Sequence, residues 1–280
     1  MNGYIVNFLT SIFRPTTHSD SDLVFVVHEK DLLIKQNGAE ARIPRYNEIH
    51  ELVGGQQLHY LGRLGPRHCF AGDGETINVS EEFLFRSIRE LYGTLSEPLF
   101  WTATKALHLV AWDSDSRFCG RCGAPMALKP DEEAKICDGC SNIVYPRISP
   151  AIIAAIIRDD TLLLLNHRRS PPDHYTLMAG FVDPGETLEQ AVAREAFEEA
   201  GITVKDIRYF GSQPWAFTGA QMTGFTATFA GGDIKVQDSE IRRGGWYRAD
   251  NLPTVGVYLN KFAECSITWQ LMKWFERNYG

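Results

Sequence analysis

Glu195, Glu198 and Glu199 fall within the run Arg194-Glu195-Ala196-Phe197-Glu198-Glu199-Ala200-Gly201, and their chemistry depends on how that run folds. Thr187 followed by Gln190 has the form of a capping box, which predicts a helix from Leu188; Gly201 is a natural residue to end it. At about 100° per residue, the three carboxylates share roughly a quarter to a third of the helix circumference. Leu188, Val192 and Ala196 lie around a face suited to packing on a sheet. Carboxylates this close repel one another. Two readings stand: a solvated acidic face, or oxygen ligands gathered around a hard cation such as Mg²⁺ or Mn²⁺.

The cysteines pose a second question. Four of the six form the pairs Cys119-Gly-Arg-Cys122 and Cys137-Asp-Gly-Cys140, with 14 residues between Cys122 and Cys137. Two such knuckles can close a tetrahedral zinc site, and zinc here would be structural. The alternative is a pair of disulfides, which an acidic cytosolic protein does not keep oxidised. Cys69 and Cys265 have no partner at metal spacing and read as small apolar residues. A third feature is aromatic: Trp215 and Phe217, in Ser212-Gln213-Pro214-Trp215-Ala216-Phe217-Thr218-Gly219-Ala220. Their flat faces suit stacking on a base; equally, such a pair can brace a strand end.

Stepping outward, three regions must position these groups. Residues 1–112 read as a mixed α/β domain. Leu23 to Val27 is a strand, Asp31 to Pro44 a hairpin around Gln36-Asn37-Gly38, and Leu58 to Phe70 a further strand pair. Phe83, Leu84, Ile88 and Leu91 recur at helical spacing and predict a helix from Ser80 to Gly93; a second helix runs from Ser96 toward Trp112. Residues 113–148 form the cysteine module, too small to hold together by apolar burial alone. In residues 149–280, Pro150 to Ile157 is an apolar run typical of a strand covered on both faces, with Thr161 to Leu165 as its hairpin partner across Asp159-Asp160. Alternating strands and helices follow, with no visible internal repeat. The net charge of −7 argues against a dedicated nucleic-acid binder. No run approaches the roughly 18 apolar residues of a membrane helix. Met1 to Phe13 lacks the basic start of a signal peptide, so a cytoplasmic protein is expected.

The 23 residues from Gly180 to Ile202 resemble the signature of the Nudix hydrolases, matching at Gly180, Glu186, Arg194, Glu195, Ala196, Glu198, Glu199, Gly201 and Ile202. The resemblance implies an α/β fold of the α/β/α sandwich type, whose loop-helix-loop binds Mg²⁺ or Mn²⁺ to hydrolyse a nucleoside diphosphate linked to another group. It implies Glu195 and Glu199 as the main metal ligands, with Glu198 adjacent and the Ala179 carbonyl as a further ligand. Arg194 would pair with a carboxylate and fix the loop. Glu240 lies where such enzymes place another carboxylate for metal or water; its other reading is an exposed loop acid.

Residues 212–220 resemble the SQPWPFPxS array of the NADH pyrophosphatase branch. They match at Ser212, Gln213, Pro214, Trp215 and Phe217, and depart at Ala216 and Thr218, where the array has prolines, and at Ala220, where it has serine. The order of N-terminal domain, cysteine module, Tyr145-Pro146-Arg147, Nudix signature and array is similar to bacterial NADH pyrophosphatases over nearly the whole chain. That likeness implies a homodimer with a structural zinc on Cys119, Cys122, Cys137 and Cys140. It implies Tyr145 and Phe181 around a base, Gln213 to Ala220 lining the nicotinamide side, Glu132 reaching the pocket, and a backbone contact at Thr268. The implied reaction splits NADH, and NAD⁺ less well, into AMP and nicotinamide mononucleotide, with removal of NAD caps from RNA as the same cleavage. The competing readings are a broader hydrolase acting on ADP-ribose-like compounds and a non-catalytic nicotinamide-nucleotide sensor.

Overall fold

The computed structural model describes Pro15 and residues 17–37, 40–77, 79–236, 240–256 and 261–280. The chain forms two compact units, Met1–Arg147 and Ile148–Gly280. In the first, β1 (Leu23–His28), β2 (Asp31–Asn37), β3 (Glu40–Arg42), β4 (His59–Leu64), β5 (Arg67–Asp73) and β6 (Phe83–Ser87) make one sheet. Its order is β3-β2-β1-β5-β4, with β6 also on β2. The expected hairpin is present as β2 and β3, although Gly38 and Ala39 of its turn lie outside the described residues. A single helical turn, α1 (Tyr46–Ile49), and a long helix, α2 (Glu97–Asp115), accompany the sheet.

The helix expected from Ser80 to Gly93 is not formed. Phe83–Ser87 is instead strand β6, paired antiparallel with β2 from Asp31↔Ser87 to Lys35↔Phe83. Aromatic residues favour a pleated surface, and the available edge of β2 satisfies the backbone. Ile88 and Leu91, read as part of the helical stripe, are fully buried in the turns that follow. The helix from Ser96 forms as expected, with Pro98 in its first turn and Phe100, Ala103, Ala106 and Leu107 buried.

Three short antiparallel strands, β7 (Met126–Leu128), β8 (Lys135–Cys137) and β9 (Ile143–Val144), make the cysteine module. Its attachment to the end of α2 is polar. Lys135 is buried and donates to the Asp113 carbonyl (2.7 Å) and the Ser116 carbonyl (3.2 Å), with the Asp113 carboxylate 2.9 Å away. A buried ammonium needs partners of this kind.

The second unit has β10 (Ser149–Arg158), β11 (Thr161–His167), β12 (Met178–Phe181), β13 (Thr203–Trp215), β14 (Ala220–Gly231) and β15 (Ile241–Arg248) in the order β13-β14-β10-β11-β15, with β12 on β10. Alternate residues of β10 feed two separate cores. Ile152, Ala154 and Ile156 pack with α3 (Leu188–Ala200), and Ile153, Ala155 and Ile157 with α4 (Ile267–Tyr279). A strand buried on both faces is apolar throughout, which is why its sequence does not alternate. The result is an α/β/α sandwich.

Five strands of the two sheets share one topology, the sixth differing: β3 pairs with β2 in the first sheet, β12 with β10 in the second. β1 is antiparallel to β2 and parallel to β5, β5 is antiparallel to β4, and β6 is antiparallel to β2. In the second unit β10 stands in the same relations to β11 and β14, β14 to β13, and β15 to β11. This repeat is invisible in the sequence and plain in the strand pairing. What differs is the helix: α1 is one turn, and its acid, Glu48, is bound by Arg42 and Lys35. Hydrogen bonds from Arg42 hold the Glu48 carboxyl down at about 2. Among the described residues, no helix is long and apolar enough to cross a membrane.

Candidate active site

The acidic helix forms as the capping residues dictate. Thr187 Oγ1 accepts from the Gln190 amide at 3.2 Å, and the Gln190 side chain accepts from the Thr187 amide at 2.8 Å. Gly201 ends α3 at φ +71°, a left-handed conformation that favours glycine. Ala191, Val192, Ala196 and Ala200 bury the inner face.

Arg194 organises the outer face. Its Nε and Nη2 donate to the two Glu186 oxygens at 2.8 and 3.0 Å, in the fork geometry that suits guanidinium and carboxylate. Its Nη1 donates to Glu195 Oε1 (2.9 Å) and Glu198 Oε2 (2.8 Å), and its Nη2 to the Phe181 carbonyl (2.8 Å). One side chain therefore ties the loop, β12 and the helix together, and these hydrogen bonds hold the Glu186 carboxyl below its usual range. Gly180 is required for the same packing, because a Cβ there would lie 1.9 Å from Glu195 Oε1.

Glu199 lies inward of the arginine network. It is 4% exposed, and its Oε2 has no hydrogen-bond partner. Burial, followed by the charges of Glu195 and Glu240, pushes its carboxyl up to about 8, against an opposing backbone hydrogen bond from Ala179. Burial raises Glu195 as well, opposed by Arg194. A buried carboxylate with an orphaned oxygen, among further carboxylates, fits a site for a hard divalent cation. Among the described residues only the four cysteines bring three or more such ligand atoms within 4.8 Å of one another, so the carboxylates do not form a closed cage.

Glu240 is exposed, immediately before β15, and its carbonyl accepts from the Arg168 amide at 2.8 Å. Its charge reaches both Glu199 and His167. His167, which the sequence reading missed, ends β11 opposite Ile241, and burial lowers its pKa. No local signal marks it, since the β11–β15 pairing alone brings it beside Glu240.

The aromatic array closes a hairpin. Trp215 ends β13 opposite Ala220, which begins β14 and is buried. Between them, Ala216–Thr218 is a 3₁₀ turn. Gln213 is buried, with Nε2 donating to the Cys265 carbonyl (2.6 Å) and Oε1 accepting from the Ile267 amide (2.8 Å). The start of α4, including half-buried Thr268, is thereby fixed beside β13. Phe262, also absent from the sequence reading, packs on both Trp215 and Phe217.

Phe181 is 54% exposed at the end of β12. In the first unit, Tyr145 is 55% exposed and its hydroxyl donates to Glu132 Oε1 at 3.2 Å. All six cysteines are free thiols. Cys119 Sγ lies 3.7 Å from Cys140 Sγ and Cys122 Sγ 3.4 Å from Cys137 Sγ, near the separation of about 3.8 Å that zinc–thiolate bonds of ~2.3 Å give in a tetrahedron. The two knuckles repeat one another. Gly123 N donates to the Cys119 carbonyl and Ser141 N to the Cys137 carbonyl, with Gly123 and Ser141 both at positive φ. Backbone amides of Arg121 and Cys122 pull the Cys119 thiol down to about 6, toward the thiolate that zinc binds.

Comparison with known proteins gives three adjoining matches. Residues 148–268 match the NUDIX domain, residues 21–112 the NADH pyrophosphatase-like rudimentary NUDIX domain, and residues 114–145 the NADH pyrophosphatase zinc ribbon domain. The chain is 40% identical over 237 residues to the NAD-capped RNA hydrolase NudC of Deinococcus radiodurans, spanning 82% of this chain and 81% of that protein. It is 49% identical over 155 residues to the protein of the same name from Klebsiella pneumoniae, spanning 55% of this chain and 60% of the relative. A crystal structure of a NUDIX hydrolase from Nitrosomonas europaea is similar with 24% identity and a TM-score of 0.49, covering 58% of this chain and 92% of that one. The three family matches in this order, together with a relative 40% identical across four fifths of both chains, show that the chain belongs to the Nudix hydrolase family, in its zinc-ribbon NADH pyrophosphatase branch.

Proposed function

We propose that the protein hydrolyses the diphosphate bond of NADH, and of NAD⁺ less well, to AMP and nicotinamide mononucleotide, and removes NAD caps from RNA 5′ ends by cleaving the same bond. The observation that carries this reading is Glu199, a buried carboxyl with an unpartnered oxygen and a pKa raised to about 8 among Glu195, Glu198 and Glu240. The names of the Deinococcus and Klebsiella relatives support the substrate class.

In this reading Glu195, Glu199, Glu240 and the Ala179 carbonyl hold Mg²⁺ or Mn²⁺. A divalent ion held there would supply charge neutralisation at the diphosphate and Lewis acidity toward water. The remaining work belongs to the chain. Arg194 orients Glu195 and Glu198 through hydrogen bonds of 2.9 and 2.8 Å, so these carboxylates are pre-set before substrate arrives. Burial lets Glu199 keep a proton near neutral pH. Water adds its oxygen to one phosphorus, the bond from that phosphorus to the bridging oxygen breaks, and the other phosphate leaves with its electron pair. Glu198 and Glu240 are the more exposed acids, placed to accept the proton that water loses.

Trp215 and Phe217 offer stacking faces to the nicotinamide side, with Gln213, Ala220 and Thr268 shaping the surrounding backbone. Tyr145 and Phe181 each keep an exposed ring for a base, and Glu132 steadies Tyr145. Zinc on Cys119, Cys122, Cys137 and Cys140 is structural. The protein acts as a cytoplasmic homodimer, organised as 1–112, 113–148 and 149–280.

The test is a side-by-side turnover assay on NADH, NAD⁺, ADP-ribose and NAD-capped RNA with Mg²⁺ or Mn²⁺, products resolved by mass. NADH or capped RNA well ahead, with AMP-side and nicotinamide mononucleotide-side products, supports the proposal. ADP-ribose level or in front means that Ala216, Thr218 and Ala220 have relaxed the pocket toward the broader hydrolase. Binding without turnover would favour a sensor.

A further inference from the structure

The ring cluster at the end of β13 includes Phe262, which comes from outside the array of residues 212–220. Phe262 lies 5.6 Å from Trp215 at an interplanar angle of 37° and 5.4 Å from Phe217 at 87°; Trp215 and Phe217 are themselves 5.4 Å apart at 64°. The three rings close a triangle, each packed on the other two.

The backbone beneath is fixed separately. The 3₁₀ turn Ala216–Thr218 contains no proline; Gly219, at φ +65°, closes it by donating to the Ala216 carbonyl at 3.2 Å, and Ser149 donates to the Gly219 carbonyl at 2.9 Å. Those bonds set the backbone beneath Trp215 and Phe217. Phe262 packs on both rings from a separate segment, the 3₁₀ helix Lys261–Cys265. That segment is anchored where it meets α4. Gln213 holds the Cys265 carbonyl and the Ile267 amide, and Ile267 rests over Gly224, where a Cβ would lie 2.7 Å from its Cδ1.

We propose that Phe262 is a positioning residue that sets the tilt of Trp215 and Phe217, and so makes selection of a flat heteroaromatic end group depend on the segment leading into α4. This inference rests on reading Trp215 and Phe217 as the nicotinamide side. Half-buried rings pre-set by a third ring bind a planar base without first being ordered, whereas loose rings lose that ordering entropy on binding. The acids on α3 lie on a different element and do not share the restraint.

The experiment compares wild type, F262A, F262L and F262Y on NADH and on ADP-ribose, which has the diphosphate and no nicotinamide. Thermal melts confirm folding. Phe262→Ala and Phe262→Leu are expected to raise KM for NADH roughly fivefold, with kcat little changed and KM for ADP-ribose unchanged. Phe262→Tyr keeps a ring and is expected to retain the wild-type NADH value. Equal KM changes on both substrates, or none on either, overturn the proposal. If F262A does not fold, the L and Y variants decide the matter by the same comparison. A wild type that does not distinguish the two substrates removes the nicotinamide reading itself, and the inference with it; a wild type that does, with variants that keep the distinction, removes only the inference.

Discussion

Glu199 carries the largest electrostatic strain among the candidate ligands, and that strain has a pH signature. A carboxyl raised from 4.5 to about 8 in the folded chain favours the protonated form. Its contribution to stability is therefore fully present below about pH 4.5 and is lost as pH rises through about 8. With zinc retained and no Mg²⁺ or Mn²⁺ added, the protein is expected to melt at a lower temperature at pH 9 than at pH 5, and Glu199→Gln to flatten that dependence, both readable by calorimetry. The same substitution is expected to cut turnover by at least ~100-fold while zinc content and fold are kept; unchanged turnover would refute the metal assignment. Trp215→Ala tests the other half of the site. It is expected to raise KM for NADH by roughly tenfold, the loss of one stacked base, and to leave KM for ADP-ribose nearly unchanged.

Among elements, the glutamate helix is specified twice, by its ends and by what lies beneath it. Thr187→Ala removes the cap acceptor and is expected to cost about 1 kcal/mol in a denaturant titration. Gly180→Ala acts differently. The added methyl would meet the Glu195 carboxyl at 1.9 Å, so Glu195 must swing away from Arg194. Turnover is expected to fall about as far as in a direct glutamate substitution, while thermal stability falls much less. A variant with near wild-type turnover would mean that Glu195 has another productive position. β6 shows what local pattern leaves open: its residues suit either a helix or a strand, and the backbone demand of β2 decided for the strand.

At the scale of the molecule, the unit Met1–Arg147 holds a sheet with Nudix topology whose one-turn helix has a single acid, already matched by Arg42 and Lys35. Among its described residues this unit holds no counterpart of the Glu199 site, and its α2 carries the ribbon. The ribbon's own apolar burial is small, so its metal supplies much of its folding energy. Cys122→Ser is expected to abolish the bound zinc, measured by atomic emission, and to expose residues 113–148 to proteolysis before the Nudix unit is cut. Retained zinc and unchanged cleavage would show that the ribbon stands without its tetrahedron.

What the sequence determined by itself was local or covalent in character. Capping residues 187 and 190 placed α3, the two CxxC pairs placed the thiols, and the continuous apolar run from Pro150 marked a strand with two covered faces. These signals survive because each depends on residues close together in the chain. Tertiary structure decided everything that depends on pairing across distance. It turned Phe83–Ser87 into a strand, brought His167 beside Glu240 through the β11–β15 ladder, spent Gln213 on the entry to α4, and set Phe262 against Trp215 and Phe217. It also revealed one sheet topology used twice, because strand order is a property of hydrogen-bonded neighbours and leaves no fixed residue type behind.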